Sequence, residues 1–151
     1  MSKAWTAALA TVFLATLALG GAPALAARTP EETVERYLKA MKERNYDEAY
    51  KYQSRGMVGN KDRETWSKEI KYLTESCDVK VFEYEVFPAK VEGDVAKVPN
   101  ILKSQDKCAN QLAAPEYELY TLVKEDGDWK IDQQEQVDKP EQPKWFNKKG
   151  T

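Results

Sequence analysis

Histidine is absent from all 151 residues. That removes the commonest general base and the commonest metal ligand, so any acid–base chemistry must use Asp, Glu, Tyr, Lys or Cys. Cysteine is scarce. The two present, Cys77 and Cys108, form no Cys-x-x-Cys motif, which argues against a dithiol redox centre. No spacing of acidic or sulfur residues suggests Ca²⁺ or Zn²⁺ coordination, so neither a metal nor another cofactor is expected. A basic excess is also lacking. The formal net charge is −2, and it falls to about −3 if the start of the chain, with Lys3, is removed. Nucleic acid, which calls for a basic face, is therefore not the expected partner. Internal repeats and low-complexity tracts are absent too.

What is present suits one domain with appendages. An apolar fraction of 42% beside a charged fraction of 32% is that of an ordinary globule rather than a disordered chain. The one long apolar run lies at the start, from Ala4 to Gly20 after Lys3. Gly20-Gly21 and Pro23 break it, and Ala24-Leu25-Ala26 supplies a small-x-small cleavage pattern. Residues 1–26 are thus expected to be a signal peptide, cut after Ala26 or Ala27, the alternative being an uncleaved anchor helix. The expected location is exported, periplasmic or secreted, with membrane contact only through the leader before cleavage.

Export to an oxidising space favours closure of the two thiols. Val91–Val95 looks like a hairpin tip, and positions 77 and 108 are equidistant from a point at its centre. In a register centred there Cys77 and Cys108 face each other, close enough for a disulfide.

Thr29-Pro30-Glu31-Glu32 reads as a helix start with a capping box. Val34, Tyr37, Leu38 and Met41 follow on one apolar face. A second, short helix is expected over 46–52. A third, capped by Asp62, is expected through about Ser76, with Trp66, Ile70 and Leu73 as its buried stripe.

From Cys77 the period becomes two. The face carrying Phe82, Tyr84 and Val86 is expected to point inward, with a bulge or bend at Pro88. A second strand is expected over Val95–Gln105, and a loop over Asp106–Pro115. The last hairpin turns at Asp126-Gly127, the strongest short hairpin signal in the chain. Leu119, Thr121 and Val123 share one face of its first strand, and Glu118, Tyr120 and Leu122 the other. The fold class expected is α+β, with three N-terminal helices packed on a curved four-stranded antiparallel sheet. Residues 27–137 would form this domain and 138–151 a polar tail. Trp145-Phe146 in that tail is either part of a loose or surface-tucked end, or an anchor for a partner.

The stretch Thr29–Met41 with Asn45–Tyr50 resembles the opening of nuclear transport factor 2-like (cystatin-like) domains. Tyr117–Tyr120 through Gly127–Asp132 is similar to their last hairpin. The resemblance covers about residues 29–136 and looks closest to an exported bacterial branch of unknown function. It implies a cone-shaped domain with a cavity between helices and sheet. Members include isomerases, dehydratases, binding modules and assembly subunits, often dimers. The carboxylate base and Tyr–Asp pair of the steroid isomerase branch do not map onto this sequence, so no catalytic residue is carried over.

Three functions are weighed. The first is a non-catalytic binding module of the cell envelope, holding a small amphipathic molecule or an envelope protein, with Tyr37, Trp66, Tyr84, Tyr120 and Trp129 as candidate cavity lining. The second is a homodimeric assembly protein pairing through the outer sheet face, with Glu83, Glu85 or Val123. The third is an enzyme, which would need a carboxylate such as Asp132 beside a tyrosine inside the cavity.

Overall fold

The computed structural model describes residues 26–147. The expected leader lies outside the described residues, as does the end of the tail. Among the described residues no helix is long and apolar enough to cross a membrane.

Helix α1 (Pro30–Lys42) starts as the sequence dictates. Thr29 Oγ accepts from the Glu32 amide, and the Glu32 carboxylate accepts from the Thr29 amide. Its buried face carries Val34, Tyr37 and Leu38. Helix α2 (Tyr46–Tyr50) is capped by Asn45, and helix α3 (Arg63–Ser76) by Asp62, which accepts from the Thr65 amide. α3 packs on α2, with Tyr46 and Thr74 sharing a buried 2.7 Å hydrogen bond. Only Trp66 and Thr74 of α3 are buried, and Leu73 is 52% exposed. The expected stripe therefore fails at Leu73, because this helix seals the edge of the helical layer instead of lying across the sheet.

The sheet is antiparallel and has five strands rather than four: β1 (Lys80–Val86), β2 (Lys90–Glu92), β3 (Val95–Asp106), β4 (Gln111–Glu125) and β5 (Asp128–Gln136). The order is β1-β3-β4-β5, with β2 also pairing β3. The extra strand comes from a break at Phe87–Ala89 around Pro88. Pro99 of β3 faces that break and its carbonyl accepts from Phe87, so its missing N–H leaves no ladder bond unmade. The loop expected over Asp106–Pro115 shrinks to residues 107–110. Leu112 to Pro115 extend β4 beyond the reach of β5, which pairs only from Glu118 onward. A proline is tolerated at such an edge.

Three register shifts bend the sheet. The first, at Phe82, corrects the expected inward face of β1 at one position, since Tyr84 and Val86 face the core as expected and Phe82 does not. Val81 and Tyr84 pack on the core, whereas Phe82 is the bulged residue and is 39% exposed. The third, at Asp132, lies beside an isolated parallel bridge between Gln53 and Ile131. The last hairpin turns with positive φ at both Asp126 (52°) and Gly127 (84°), as a type I′ turn requires.

Cys77 and Cys108 form a disulfide, with Cα atoms 5.1 Å apart. The β2–β3 pairing is centred on Gly93-Asp94, about one position beyond the midpoint between Cys77 and Cys108. Two extra residues on the first arm, one at the Pro88 break and one at Phe82, bring Cys77 opposite Cys108.

The tail is not wholly irregular. A short helix α4 (Gln142–Phe146) lies on the convex side of the sheet. The Phe146 ring meets Phe87 and Tyr117 edge-on, with centroids 5.3 and 5.0 Å away.

Candidate functional site

The concave face of the sheet changes character along its length. At one end Ala96, Leu122 and Ile131 stand in a row across β3, β4 and β5, all completely buried. Further along, β4 turns Tyr120, then Glu118, then Glu116 to the same side, because alternate residues of a strand share a face. Their cross-strand partners are Val98, Asn100 and Leu102 on β3. On β5, Gln134 stands opposite Tyr120 and Gln136 opposite Glu118.

Tyr120, Glu118, Glu116, Leu102, Gln134 and Gln136 floor a cavity of about 310 Å³. Tyr37, Leu38 and Met41 of α1 roof it, and Val81 and Leu102 contribute apolar wall. Asp106 and Gln111 stand near the disulfide end. The volume is at the lower limit of about 300–1,000 Å³ for small-molecule sites.

Glu118 is the deepest charged group here, only 3% exposed. Its Oε1 accepts from Gln134 Nε2 at 2.9 Å, while Oε2 has no hydrogen-bond partner. Burial pushes its carboxyl above the usual range, and contacts with Gln134 and Tyr120 pull it partway back. Glu116 is half-buried, and one of its oxygens, Oε1, is likewise unpartnered. Burial, then the nearby charges of Glu118 and Asp106, push its carboxyl up to about 7. Burial and Glu118 raise the Tyr37 hydroxyl to about 12 and lift Tyr120 well above its ordinary value. Asn100, fully buried in the same cross-strand row as Glu118, leaves both side-chain polar atoms unpartnered. A buried polar group without a partner costs about 1–3 kcal/mol, so such a concentration makes this face the candidate site.

Of the five aromatic residues proposed as lining, Tyr37 and Tyr120 meet at this cavity, with ring centroids 6.2 Å apart and edge to face. The other three lie elsewhere. Trp66 packs against Tyr50 between α2 and α3, with centroids 5.8 Å apart. Tyr84 sits half-buried on β1 near Glu35 and Glu43 of α1. Trp129 is in the core, with the Lys124 ammonium 5.1 Å from its ring centre. Asp132 does not enter the cavity. The bulge at this residue turns its carboxylate to the loop after α2, where it accepts from Ser54 Oγ at 2.6 Å. The cavity carboxyls are Glu116 and Glu118, which the sequence reading did not single out. The signal was legible in part, since Glu118 shares a strand face with Tyr120 and Leu122, and a glutamate in that register must be buried.

A wider depression of about 690 Å³ lies on the convex side between Pro88–Lys90 and Trp145. It contains none of the buried unpartnered side-chain atoms found among the described residues.

No family model matches the sequence, and no curated protein does. Solved structures resemble the fold. A SEC-C motif containing protein from Rhodopseudomonas palustris superposes with a TM-score of 0.55 at 15% identity, over 73% of this chain and 80% of that one. A domain of unknown function with a cystatin-like fold from Nostoc punctiforme gives 0.53 at 13% identity, over 74% and 78%. A nuclear transport factor 2-like protein from Cytophaga hutchinsonii gives 0.50 at 13% identity, over 70% and 92%. The fold is thus that of cystatin-like and nuclear transport factor 2-like proteins. At these identities the likeness concerns architecture alone, and activity has to be argued from the site.

Proposed function

We propose that this chain is an exported, non-catalytic binding module that holds a small amphipathic molecule between α1 and the concave face of the sheet. One observation carries the reading: Glu118, nearly inaccessible to solvent, keeps Oε2 unpartnered at the wall of a cavity of about 310 Å³. A ligand donor there would meet a polar group whose desolvation has already been incurred in folding. The apolar sides of the cavity suit the rest of an amphipathic molecule. The leader-like start and the closed cysteine pair support a periplasmic or secreted location.

The test is native mass spectrometry of protein purified from its exporting host, set beside a variant with the cavity filled, Ser104→Phe. The expected result is a small-molecule adduct on the wild type that the folded variant lacks. An adduct of equal occupancy on both proteins, or none on either, overturns the reading.

A second reading uses the same carboxyl. A buried glutamate with a raised pKa is also what a general acid or base looks like. It predicts that the bound molecule is released chemically altered, and that Glu118→Gln retains it unaltered. The binding reading predicts the same compound recovered from both.

A further inference from the structure

The cavity's charge is one-sided. Asp106, Glu116 and Glu118 line it, and no lysine or arginine does. Nearby on the sheet, by contrast, Asp78 is bridged by Lys80 and Lys107, and Glu83 by Lys103. Glu116 and Glu118 have no such cation among the described ion pairs. Within the cavity lining, Gln134 supplies Glu118 with one amide hydrogen bond, and one buried oxygen of each glutamate has no hydrogen-bond partner.

We propose that the ligand is a small organic cation, a protonated amine on an apolar stem, with its ammonium placed between Glu116 and Glu118 and its stem along Leu38, Met41 and Leu102. This rests on the reading above that the cavity is a ligand site. An ammonium group offers donors only, as two unpartnered carboxylate oxygens require. It also supplies the positive charge that the protein withholds. An anion would meet three carboxyl groups and no counter-charge. A bare divalent ion fits poorly, because the three carboxylates do not converge. Among the described residues, the sole trio with ligand atoms within 4.8 Å of one another is Cys77, Asp106 and Cys108, whose sulfurs are joined in the disulfide. The tyrosine rings of Tyr37 and Tyr120 add electron-rich surface suited to a cation.

The groups facing Glu116 and Glu118 are Tyr37 from α1, Asp106 from β3, Tyr120 from β4, and the neutral Gln134 and Gln136 from β5. None of them carries positive charge. Burial raises the pKa of both glutamates. They therefore gain charge as pH rises, and an ammonium ligand should bind more tightly above about pH 7 than below it.

The experiment uses three probes of matched length, hexylamine, hexanol and hexanoate, titrated calorimetrically into the full chain at about pH 8 and about pH 5. Hexylamine is expected to bind most tightly, with affinity falling at the lower pH, while hexanol changes little. Glu118→Gln should weaken hexylamine roughly tenfold or more and hexanol far less, because only the ammonium loses a charge partner. Should that variant fail to fold, as judged by circular dichroism, Glu116→Gln at the more accessible position provides the same comparison. Hexanol or hexanoate binding as tightly as hexylamine would overturn the cation assignment and leave the cavity reading standing. Failure of all three to bind would remove the cavity reading itself.

Discussion

The two ends of the concave face are built from the same strands and have opposite chemistry. Around Ala96, Leu122 and Ile131 the surface is dry and closed, packed by Val34 and Ala49 from the helices. Ile131 is held by its backbone as well, donating to the Tyr52 carbonyl and accepting from the Ser54 amide. Four and six residues from Leu122 along β4, the same face carries Glu118 and Glu116, with Asn100 buried opposite Glu118 and a cavity above the glutamates. The first end earns stability by excluding water from apolar area. The second forgoes that gain to keep polar groups unsatisfied. Apolar burial and the polar cavity are thus separated along one sheet, and the disulfide sits at the polar end.

That contrast can be broken experimentally, beginning at the dry end. Ile131→Ala should remove about 2–5 kcal/mol, the usual cost of a large-to-small change at a fully buried site. Urea unfolding measures it, and a loss under about 1 kcal/mol would mean that the dry end is not the keystone.

The next effect belongs to the polar end. Replacing both cysteines with serine opens a loop spanning 31 positions and should cost about 3–4 kcal/mol in the chain-entropy treatment. Hydrogen exchange should quicken first around 102–116 while amides near Ile131 stay protected. Uniform loss of protection would show that the two ends unfold as one unit.

The smallest effect sharpens the comparison. Glu116 and Glu118 bind protons more tightly in the folded chain than in the unfolded one. The stability they confer is therefore present below the unfolded carboxylate range and is lost as pH rises toward about 7. Asp78, Glu83 and Asp62 have the opposite sign. Hydrogen bonds from Lys107 and Lys80 hold Asp78 low, one from Lys103 holds Glu83 low, and the Thr65 amide and hydroxyl hold Asp62 low. Their contribution disappears as pH falls through the acidic carboxylate range. The melting temperature should consequently peak on the mildly acidic side of neutrality. Glu118→Gln should flatten the alkaline limb and leave the acidic limb unchanged. An unaltered alkaline limb would place the source of that pH dependence elsewhere.

Much of the architecture was readable because it is local. The Thr29 capping box, the Asp62 cap and the Asp126-Gly127 turn each rest on side chains satisfying backbone groups within a few residues. The cysteine pairing was also anticipated, although the symmetric count reached it only because two extra residues shift the register in the same direction. The cavity was legible in its two tyrosines and not in its acids. Alternation told which face Glu118 occupies. Nothing in the sequence told how far β5 and α1 would stand from it. Trp66, Tyr84 and Trp129 look the same in sequence as Tyr37 and Tyr120, and only packing separates core from lining.

The amino-acid order alone determined the first three helices, the last hairpin and the α+β class, since each follows from periodicity, capping or turn geometry over short stretches. Tertiary structure decided the fifth strand, the exposure of Phe82 and Leu73, the diversion of Asp132 to Ser54, and the gathering of Glu116 and Glu118 under α1. The physical reason is that a single inserted residue in a strand reverses which side chains face inward. Where those insertions fall depends on partner strands distant in the chain.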